Sequence, residues 1–360
     1  MQSLPNNFQL SIFKEISKDC IGSNMMISPI GIYHILSLTA NGAEGSTKTQ
    51  MIQALGHSNL NELNQNNKLL SLIIKKLKTV EMANAVFTRF VPEKSFRQSI
   101  QDYKAEIKKM ENVEQINKFV SDATHKKIDK IINELNPNDL MILINAIYFK
   151  GVWKKKFNKT KTKKNTFMNF NKTPKETDFM NLVQNFEYFS NAEVQAISMD
   201  YNSDHLKALI ILPRGGIDIN DYIQNLNFNK YSSIIKGLKN TKVIFSMPKF
   251  EIRYSCSVKG YLKSLGMIDA FEENTADFSL MKKGLQLFIQ DVIHKTFIKV
   301  DEEGTEAAAV TAVVMRTKGL HQKPPEDIVM NVDHPFLFII RTDNIPQGYD
   351  ILFLSKIESL

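Results

Sequence analysis

Cysteine is almost absent from this chain of 360 residues, which holds only Cys20 and Cys256. Two cysteines cannot build a disulfide framework or a cysteine-based zinc module, although they do not report the cellular compartment. Long apolar runs are missing as well, since the most apolar stretch, Leu140 to Phe149, contains Asn145 and is too short to span a bilayer. The first residues show no basic segment followed by an apolar one, so no signal peptide is expected. We therefore expect a soluble protein without a membrane partner, cytoplasmic or released without a classical signal.

The motifs that usually identify an enzyme are absent too. There is no G-x-x-x-x-G-K-[ST] phosphate loop, no G-x-G-x-x-G, no H-E-x-x-H and no G-x-S-x-G. The 7 histidines are scattered singly, without the spacing of metal ligands. The sequence therefore indicates no enzyme, and we expect neither a metal nor a resident cofactor.

Basic residues outnumber acidic ones, with 46 Lys and Arg against 38 Asp and Glu, which gives a net charge of +8. The densest cluster lies between Lys150 and Lys164, and elsewhere the two signs are interleaved. A solvated basic surface is the first interpretation of this cluster, and a polyanion site with steep salt dependence is the second. No nucleic-acid partner is expected.

Hydrophobic periodicity divides the chain into a helical first third and a later part rich in strands. Apolar residues recur at helical spacing in residues 8–16, 32–36 and 69–77, and Ser28 followed by Pro29 is typical of a helix start. A further helix is expected from Ser46 to Leu55, before Gly56. Short apolar runs predict buried strands at Leu140–Phe149, Leu209–Leu212, Val243–Ile252 and Phe336–Ile340. Because no linker or repeat interrupts the chain, we expect one mixed domain over residues 1–360.

Residues 301–326, DEEGTEAAAVTAVVMRTKGLHQKPPE, combine an acidic turn with a run of small side chains. Local propensity alone would make Thr305 to Met315 an alanine-rich helix capped by Thr305. In an extended conformation, one face carries no charge, whereas the opposite face carries Glu306 and Arg316. The uncharged face comprises Thr305, Ala307, Ala309, Thr311, Val313 and Met315. The segment is therefore compatible with two states.

These residues resemble the serpins, a family of protease inhibitors. EEGTEAAAVT (302–311) resembles the hinge of the reactive-centre loop in inhibitory members, and NVDHPFLFII (331–340) resembles the C-terminal signature. Further similar segments occur in family order: NMMISPIGIYHILSLTANGAEGST (24–47), LINAIYFKGVW (143–153), MPKFEIRYSCSVKGYLKSLGMIDAF (247–271) and IHKTFIKVDEEGTEA (293–307). The resemblance implies an α+β fold of three β-sheets and about nine helices, with an exposed reactive-centre loop at about residues 302–330.

The resemblance also implies a mechanism. A serine protease would cleave the loop, form an acyl-enzyme, and be trapped when the freed loop inserts into the main sheet as an extra strand. Small hinge residues favour inhibition over a non-inhibitory binding or chaperone-like role, which remains the alternative. Cross-class inhibition of a cysteine protease is a third candidate, because both protease classes form acyl-enzymes.

The expected reactive bond follows from the spacing in relatives with this hinge length. Fourteen residues beyond Gly304 the sequence has Lys318, so Lys318–Gly319 is the expected bond and Arg316–Thr317 the alternative. A buried lysine requires a partner carboxylate, which suits a trypsin-like protease or one of mixed specificity with a chymotrypsin fold. The hinge itself comprises Glu302, Glu303, Gly304, Thr305, Glu306, Ala307, Ala308 and Ala309.

Four other residues match family positions where the sheet opens. Ser28, Asn145 and His294 match a cluster beneath the sheet centre, and Trp153 matches the residue at the top. Protonation of His294 would place an uncompensated charge inside the sheet, so acid pH is expected to loosen this site. Gly31 stands where the family usually has a serine, which is expected to weaken the hydrogen bonding there.

Two further expectations concern partners. Lys75, Lys76 and Lys78 would form a patch for a heparin-like glycosaminoglycan, or they are lysines that only keep the protein soluble. The protein is expected to be a monomer that tends to polymerise, since a sheet able to accept its own loop can accept a neighbour's.

Overall fold

The computed structural model describes residues 8–77, 79–101, 103, 105–203, 205–305, 327–343, 345 and 347–360. These residues contain nine α-helices and sixteen β-strands. The helices are α1 (Phe8–Lys18), α2 (Pro29–Ala40), α3 (Gly45–Ala54), α4 (Leu60–Lys76), α5 (Lys94–Ser99), α6 (Val113–Ala123), α7 (Ile219–Asn225), α8 (Phe228–Gly237) and α9 (Lys259–Ser264). The strands are β1 (Met25–Ile27), β2 (Val80–Thr88), β3 (Glu106–Lys109), β4 (Met141–Phe149), β5 (Gly151–Val152), β6 (Lys163–Met168), β7 (Pro174–Ser190), β8 (Val194–Asp200), β9 (Leu206–Pro213), β10 (Lys239–Pro248), β11 (Phe250–Ser257), β12 (Asp291–Asp301), β13 (Gly304–Thr305), β14 (Ile328–Asn331), β15 (Phe336–Thr342) and β16 (Ile351–Ile357).

The first sheet has seven strands in the order β3-β2-β4-β12-β13-β5, and β11 also pairs with β12. Strands β4 and β12 are parallel and pair directly, with Ile142–Tyr148 opposite Asp291–Phe297. All nine residues of β4 are buried. This burial agrees with the continuous apolar run in the sequence, because a strand covered on both faces needs no polar alternation.

The second sheet has nine strands in the order β1-β16-β15-β9-β8-β7-β10-β14, with β6 paired to β7. Strand β7 is 17 residues long. It pairs with β6 and β10 along most of its length, and its last residues pair with β8. Two groups of strands therefore share β7 and form one sheet. The resemblance implied three sheets, whereas the described residues form two, one of seven strands and one of nine. The α+β class predicted from the sequence is confirmed.

The seven-stranded sheet contributes side chains to two separate hydrophobic cores. In β4, residues 141, 143, 147 and 149 join the main core, which also contains the apolar faces of α1 and α2. Residues 142, 144, 146 and 148 belong to a smaller core with Ile116 and Val120 of α6. Alternate side chains of one strand therefore anchor two separate layers.

The start of α2 agrees with the sequence prediction. Ser28 is the N-cap, its side chain accepts a hydrogen bond from the N–H of Gly31, and Pro29 is the first helical residue. All twelve residues of the helix are buried. Ser28 therefore lies directly beneath the seven-stranded sheet.

The prediction of a single strand from Val243 to Ile252 is wrong, because the chain changes sheets within it. Strand β10 ends at Pro248 in the nine-stranded sheet, and β11 begins at Phe250 in the seven-stranded sheet. Pro248 has no N–H for a ladder, and the N–H of Lys249 bonds to the carbonyl of Asp178 on β7. This break places Lys249 at the junction of the sheets.

No helix among the described residues has the length and apolar character needed to cross a membrane.

Candidate functional site

The hinge occupies the top of the boundary between β4 and β12. Strand β13, which is Gly304–Thr305, is antiparallel to β12 on one side and to β5 on the other. Thr305 lies opposite Val300 and Gly151. The hinge thus already occupies the first two positions of an additional strand, and directly below it β4 and β12 pair with each other.

Gly304 is required at this position. Its φ is +149°, a region that L side chains rarely adopt, and a Cβ here would collide with the carbonyl oxygen of Gly151. Only glycine lets the backbone turn back from β12 and approach β5 this closely. The hinge glycine is therefore a structural requirement of the site.

The side chain of Thr305 is fully buried among aromatic residues. Its hydroxyl lies 2.8 Å from the hydroxyl of Tyr201, and the Tyr201 ring stacks on Trp153 with centroids 4.5 Å apart. Burial raises the pKa of Tyr201, so the phenol stays neutral and pairs with a neutral hydroxyl. A charged side chain at position 305 would have no partner in this pocket.

Trp153 holds the backbone at the start of the hinge. Its indole N–H donates to the carbonyl of Asp301 at 3.0 Å, and its backbone N–H donates to the carbonyl of Glu303 at 3.0 Å. The side chain is almost completely buried. This position agrees with the prediction that Trp153 lies at the top of the opening sheet.

Glu303 is held by two lysines of the basic cluster. Its carboxylate lies 2.6 Å from the Nζ of Lys156 and 3.1 Å from that of Lys159. The hydrogen bond from Lys156 is the largest influence on the pKa of Glu303, which lies below its ordinary value of 4.5. The carboxylate is therefore charged at neutral pH and ties the hinge to residues 156–159.

Glu302 makes a second set of contacts. Its carboxylate accepts a hydrogen bond from the Thr162 hydroxyl at 2.7 Å and lies 3.3 Å from the Nζ of Lys249. Burial alone would raise the pKa of Glu302, but the Thr162 hydrogen bond and Lys249 hold it below its usual value. Lys249 also contacts Asp178 at 3.2 Å. The start of the hinge is thus linked to both sheets.

The cluster between Lys150 and Lys164 is a solvated surface, as first interpreted, since all of its lysines except Lys156 are exposed, but some of them also make ion pairs. Lys156 and Lys159 bind the hinge, and Lys164 pairs with Asp178. The available signal in the sequence was charge complementarity between this lysine-rich segment and the two glutamates that precede Gly304. Sequence reasoning did not connect them because almost 150 residues separate the two segments.

A row of polar side chains crosses the boundary between β4 and β12. Asn84, Asn145 and His294 lie opposite one another on β2, β4 and β12. The Nδ1 atom of His294 lies 2.6 Å from the Oδ1 of Asn145, and the Nδ2 of Asn145 donates to the Oδ1 of Asn84. The row joins both strands that must separate if the sheet opens.

The row ends at the predicted residue Ser28. Its backbone N–H donates to the Nε2 of His294 at 3.0 Å, so Nδ1 carries the ring proton and donates to Asn145. The structure therefore brings Ser28, Asn145 and His294 together as expected. Asn84 was missed, although its sequence context, a polar residue between apolar ones in residues 82–87, was a usable signal.

Gly31 packs against the same amide. A Cβ at Gly31 would lie 2.5 Å from the Nδ2 of Asn145, so a serine would not fit in this arrangement. The amide nitrogen bonds to Asn84 instead. The sequence predicted weaker hydrogen bonding at Gly31, but it did not predict this hydrogen bond between Asn145 and Asn84.

His294 is neutral in the closed sheet. Complete burial lowers the pKa of His294 from 6.5 to about 3, and the bond to Asn145 opposes this shift only in part. The imidazole therefore remains uncharged in the native sheet throughout the physiological range.

The remaining predicted residues divide between described and undescribed parts of the chain. Lys75 and Lys76 lie on the exposed last turn of α4. The other predicted residues lie outside the described residues: Lys78, Glu306, Ala307, Ala308, Ala309, Arg316, Thr317, Lys318 and Gly319.

Together, a seven-stranded sheet with a parallel boundary inside it and a two-residue hinge strand above that boundary define a structural class. Comparison with known proteins gives that class a name. The family model described as "Serpin (serine protease inhibitor)" matches residues 3–360. This chain therefore belongs to the serpin family of protease inhibitors, and it is not an enzyme.

Individual relatives agree over nearly the whole chain. The leukocyte elastase inhibitor of Xenopus laevis is 30% identical, with 95% of each chain covered. Intracellular coagulation inhibitor 2 of Tachypleus tridentatus is 30% identical, over 100% of this chain and 91% of its own. The native crystal structure of the thermophilic serpin tengpin has a TM-score of 0.87 at 33% identity, over 98% of this chain and 92% of that one.

The substitution Glu303→Gln tests the ion pairs at the hinge. We expect it to weaken the attachment of the hinge by about 1 kcal/mol, so the fraction of molecules with a released hinge should rise roughly five-fold. Trp153 is the only tryptophan in the sequence, so its fluorescence reports the change as a shift to longer wavelength. Glu272→Gln is the matched control, because Glu272 contacts Lys263 at 2.5 Å away from the hinge.

The same attachment predicts a pH dependence. Because the folded pKa of Glu303 is below 4.5, the ion pairs contribute fully above pH 4.5 and are lost as pH falls through the lowered pKa. Equal Trp153 spectra for wild type and Glu303→Gln at every pH would show that the ion pairs do not hold the hinge.

The substitution His294→Gln tests the buried imidazole. The unfolded histidine takes up a proton below pH 6.5 and the folded one only near 3, so stability falls as pH drops from 6.5 toward 3. At pH 5 this group should destabilise the wild type by about 2 kcal/mol relative to neutral pH. Urea denaturation at pH 5 and 7.5 should show a smaller difference in His294→Gln. His125→Gln, at an exposed histidine, should retain the wild-type difference.

Proposed function

We propose that this serpin inhibits serine proteases as a suicide substrate. The target cleaves the reactive-centre loop and forms an acyl-enzyme, and the loop then inserts between β4 and β12. The position of Gly304–Thr305 between β12 and β5 carries this proposal. Insertion continues a strand that has already started, so it requires no new nucleus.

Strand direction favours insertion. The chain reverses between β12 and β13, so an extended β13 runs antiparallel to β12 and also to β4. Insertion therefore replaces one parallel pairing by two antiparallel ones, and antiparallel pairing is slightly more stable per residue. While the loop is uncut, its far end stays attached to β14 and the loop does not insert. The additional hydrogen bonds and buried area therefore form only after cleavage.

The lengths of the segment and the sheet are similar. The fourteen residues that follow Gly304, from Thr305 to Lys318, span about 46 Å when extended, and the twelve residues from Met141 to Val152 span about 40 Å. A protease attached at Lys318 would thus be carried along the entire sheet. Small side chains at 305, 307 and 309 suit a position beneath the sheet.

The covalent step is ordinary acyl transfer. The protease serine attacks the carbonyl carbon of Lys318, its proton passes to the leaving amine of Gly319, and the ester to Lys318 remains. A carboxylate in the primary pocket of a trypsin-like enzyme would pair with the lysine ammonium. Insertion before water reaches this ester distinguishes inhibition from simple cleavage.

Location and assembly belong to the same proposal. A relative is named intracellular coagulation inhibitor 2, which supports a site of action inside cells or after release without a classical signal. We infer a monomer that forms one covalent complex with its protease, and the closed boundary between β4 and β12 is the place where a neighbour's loop would start a polymer.

The substitution Thr305→Arg tests insertion. Wild type incubated with trypsin should give an SDS-stable complex, and its cleaved form should melt at a much higher temperature. Thr305→Arg would place an unpaired charge against Tyr201 at a cost of several kcal/mol, so it should be cleaved without forming a complex. Thr305→Ser keeps the hydroxyl and should still inhibit. A wild type that is only cleaved, with no gain in melting temperature, would establish the non-inhibitory alternative.

The reactive bond is tested by the fragment that cleavage releases. Mass spectrometry of the C-terminal fragment from the trypsin complex should find Gly319 at its start. Lys318→Ala should then abolish the complex with trypsin, whereas Arg316→Ala should retain it. A fragment that begins at Thr317 would reject Lys318 and assign the bond to Arg316.

A further inference from the structure

The two cysteines of the chain come together although they are far apart in sequence. Cys20 follows the end of α1, and Cys256 lies on β11, the strand that pairs with β12 opposite β4. Both are free thiols and both are partly buried. Cys256 lies opposite His294 on the neighbouring strand, but the hydrogen bonds described above for the hinge and for the row that includes His294 involve neither thiol.

One hydroxyl group lies between the two thiols. The Sγ of Cys20 is 3.3 Å from the hydroxyl oxygen of Tyr254. Tyr254 and Cys256 are two residues apart on β11, so their side chains lie on the same face of the strand. The two cysteines are therefore neighbours of the same tyrosine, Cys20 through a contact with its hydroxyl and Cys256 through its position on the same strand face.

The two thiols differ in reactivity. Burial raises the pKa of Cys256 to about 12, and the nearby Cys20 adds to the shift. Cys256 therefore stays protonated at neutral pH and is a poor site for the first oxidation, which needs a thiolate.

We propose that Cys20 and Cys256 are a modification site that forms a reversible disulfide when the protein meets a peroxide. Hydrogen peroxide oxidises the Cys20 thiol to a sulfenic acid and is itself reduced to water. The Cys256 sulfur then attacks the Cys20 sulfur, and the sulfenic oxygen leaves as a second water with the Cys256 proton. The two thiols lose two electrons and two protons in total, which hydrogen peroxide accepts.

The location of the bridge determines its effect. Strand β11 pairs with β12 over eight residues, Phe250–Ser257 opposite Ile293–Val300. A disulfide to Cys20 would fasten this pair of strands to the end of α1. The boundary that opens lies on the other side of β12, against β4, so the bridge should stabilise the native protein without blocking the opening. This inference does not depend on the proposed protease.

The test uses the full chain treated with hydrogen peroxide at neutral pH and then digested with trypsin without reductant. The cysteines fall in the tryptic peptides Asp19–Lys48 and Tyr254–Lys259. We expect one cross-linked species that is two hydrogen atoms lighter than the sum of the two peptides, apart from any oxygen added to Met25 and Met26. Dithiothreitol should release both peptides.

Stability provides the second measurement. The peroxide-treated wild type should unfold at a higher urea concentration than the reduced wild type, and dithiothreitol should reverse the shift. Cys256→Ser and Cys20→Ser are the controls, and neither should gain urea resistance on treatment. Separate oxidation of the two cysteines without a cross-link, or a cross-link that leaves the urea midpoint unchanged, would overturn the proposal.

Discussion

The parallel pairing between β4 and β12 is the contact on which the rest of this structure depends. Seven residue pairs close the boundary, and the hydrogen bond from His294 to Asn145 crosses it in the buried interior. Every residue of β4 is buried, and β12 contributes side chains to both cores, so separating the two strands disturbs two cores at once. The pairing is stable enough to hold the native sheet closed. A strand that enters from the hinge would nevertheless replace this parallel pairing by two antiparallel ones.

The hinge is held by contacts that differ in kind from those at the boundary. Its backbone is fixed by Trp153 and by the close approach of Gly304 to Gly151, whereas Glu302 and Glu303 attach it through lysines near the surface. Surface ion pairs contribute little individually and are screened by salt. The hinge can therefore remain in place in the native protein without adding a large barrier to further insertion. The buried histidine row is the stronger restraint, because breaking it leaves polar groups unpaired in an apolar interior.

Much of the fold could be predicted from local patterns. The cap Ser28 and Pro29 defined the start of α2, and the apolar run at Leu140–Phe149 identified the central strand. The change of sheets at Pro248 could not be found from hydrophobicity, because both halves of that segment are apolar and only long-range pairing separates them. Likewise, Ser28, Asn145 and His294 could be named through resemblance, but Asn84 became evident only from the register of β2 with β4.

The sequence by itself determined the helical first third and the buried strands, because these follow from periodicity and side-chain chemistry within short segments, and its resemblance to the serpins identified the hinge. Cysteine, scarce throughout the chain, carried no structural prediction. Only the tertiary structure decided that Lys156 and Lys159 face Glu303, that Asn84 completes the row at the boundary, and that Cys20 contacts Tyr254, two residues before Cys256. Each of these contacts joins segments distant in sequence, and their proximity is fixed by sheet register and core packing rather than by local preference.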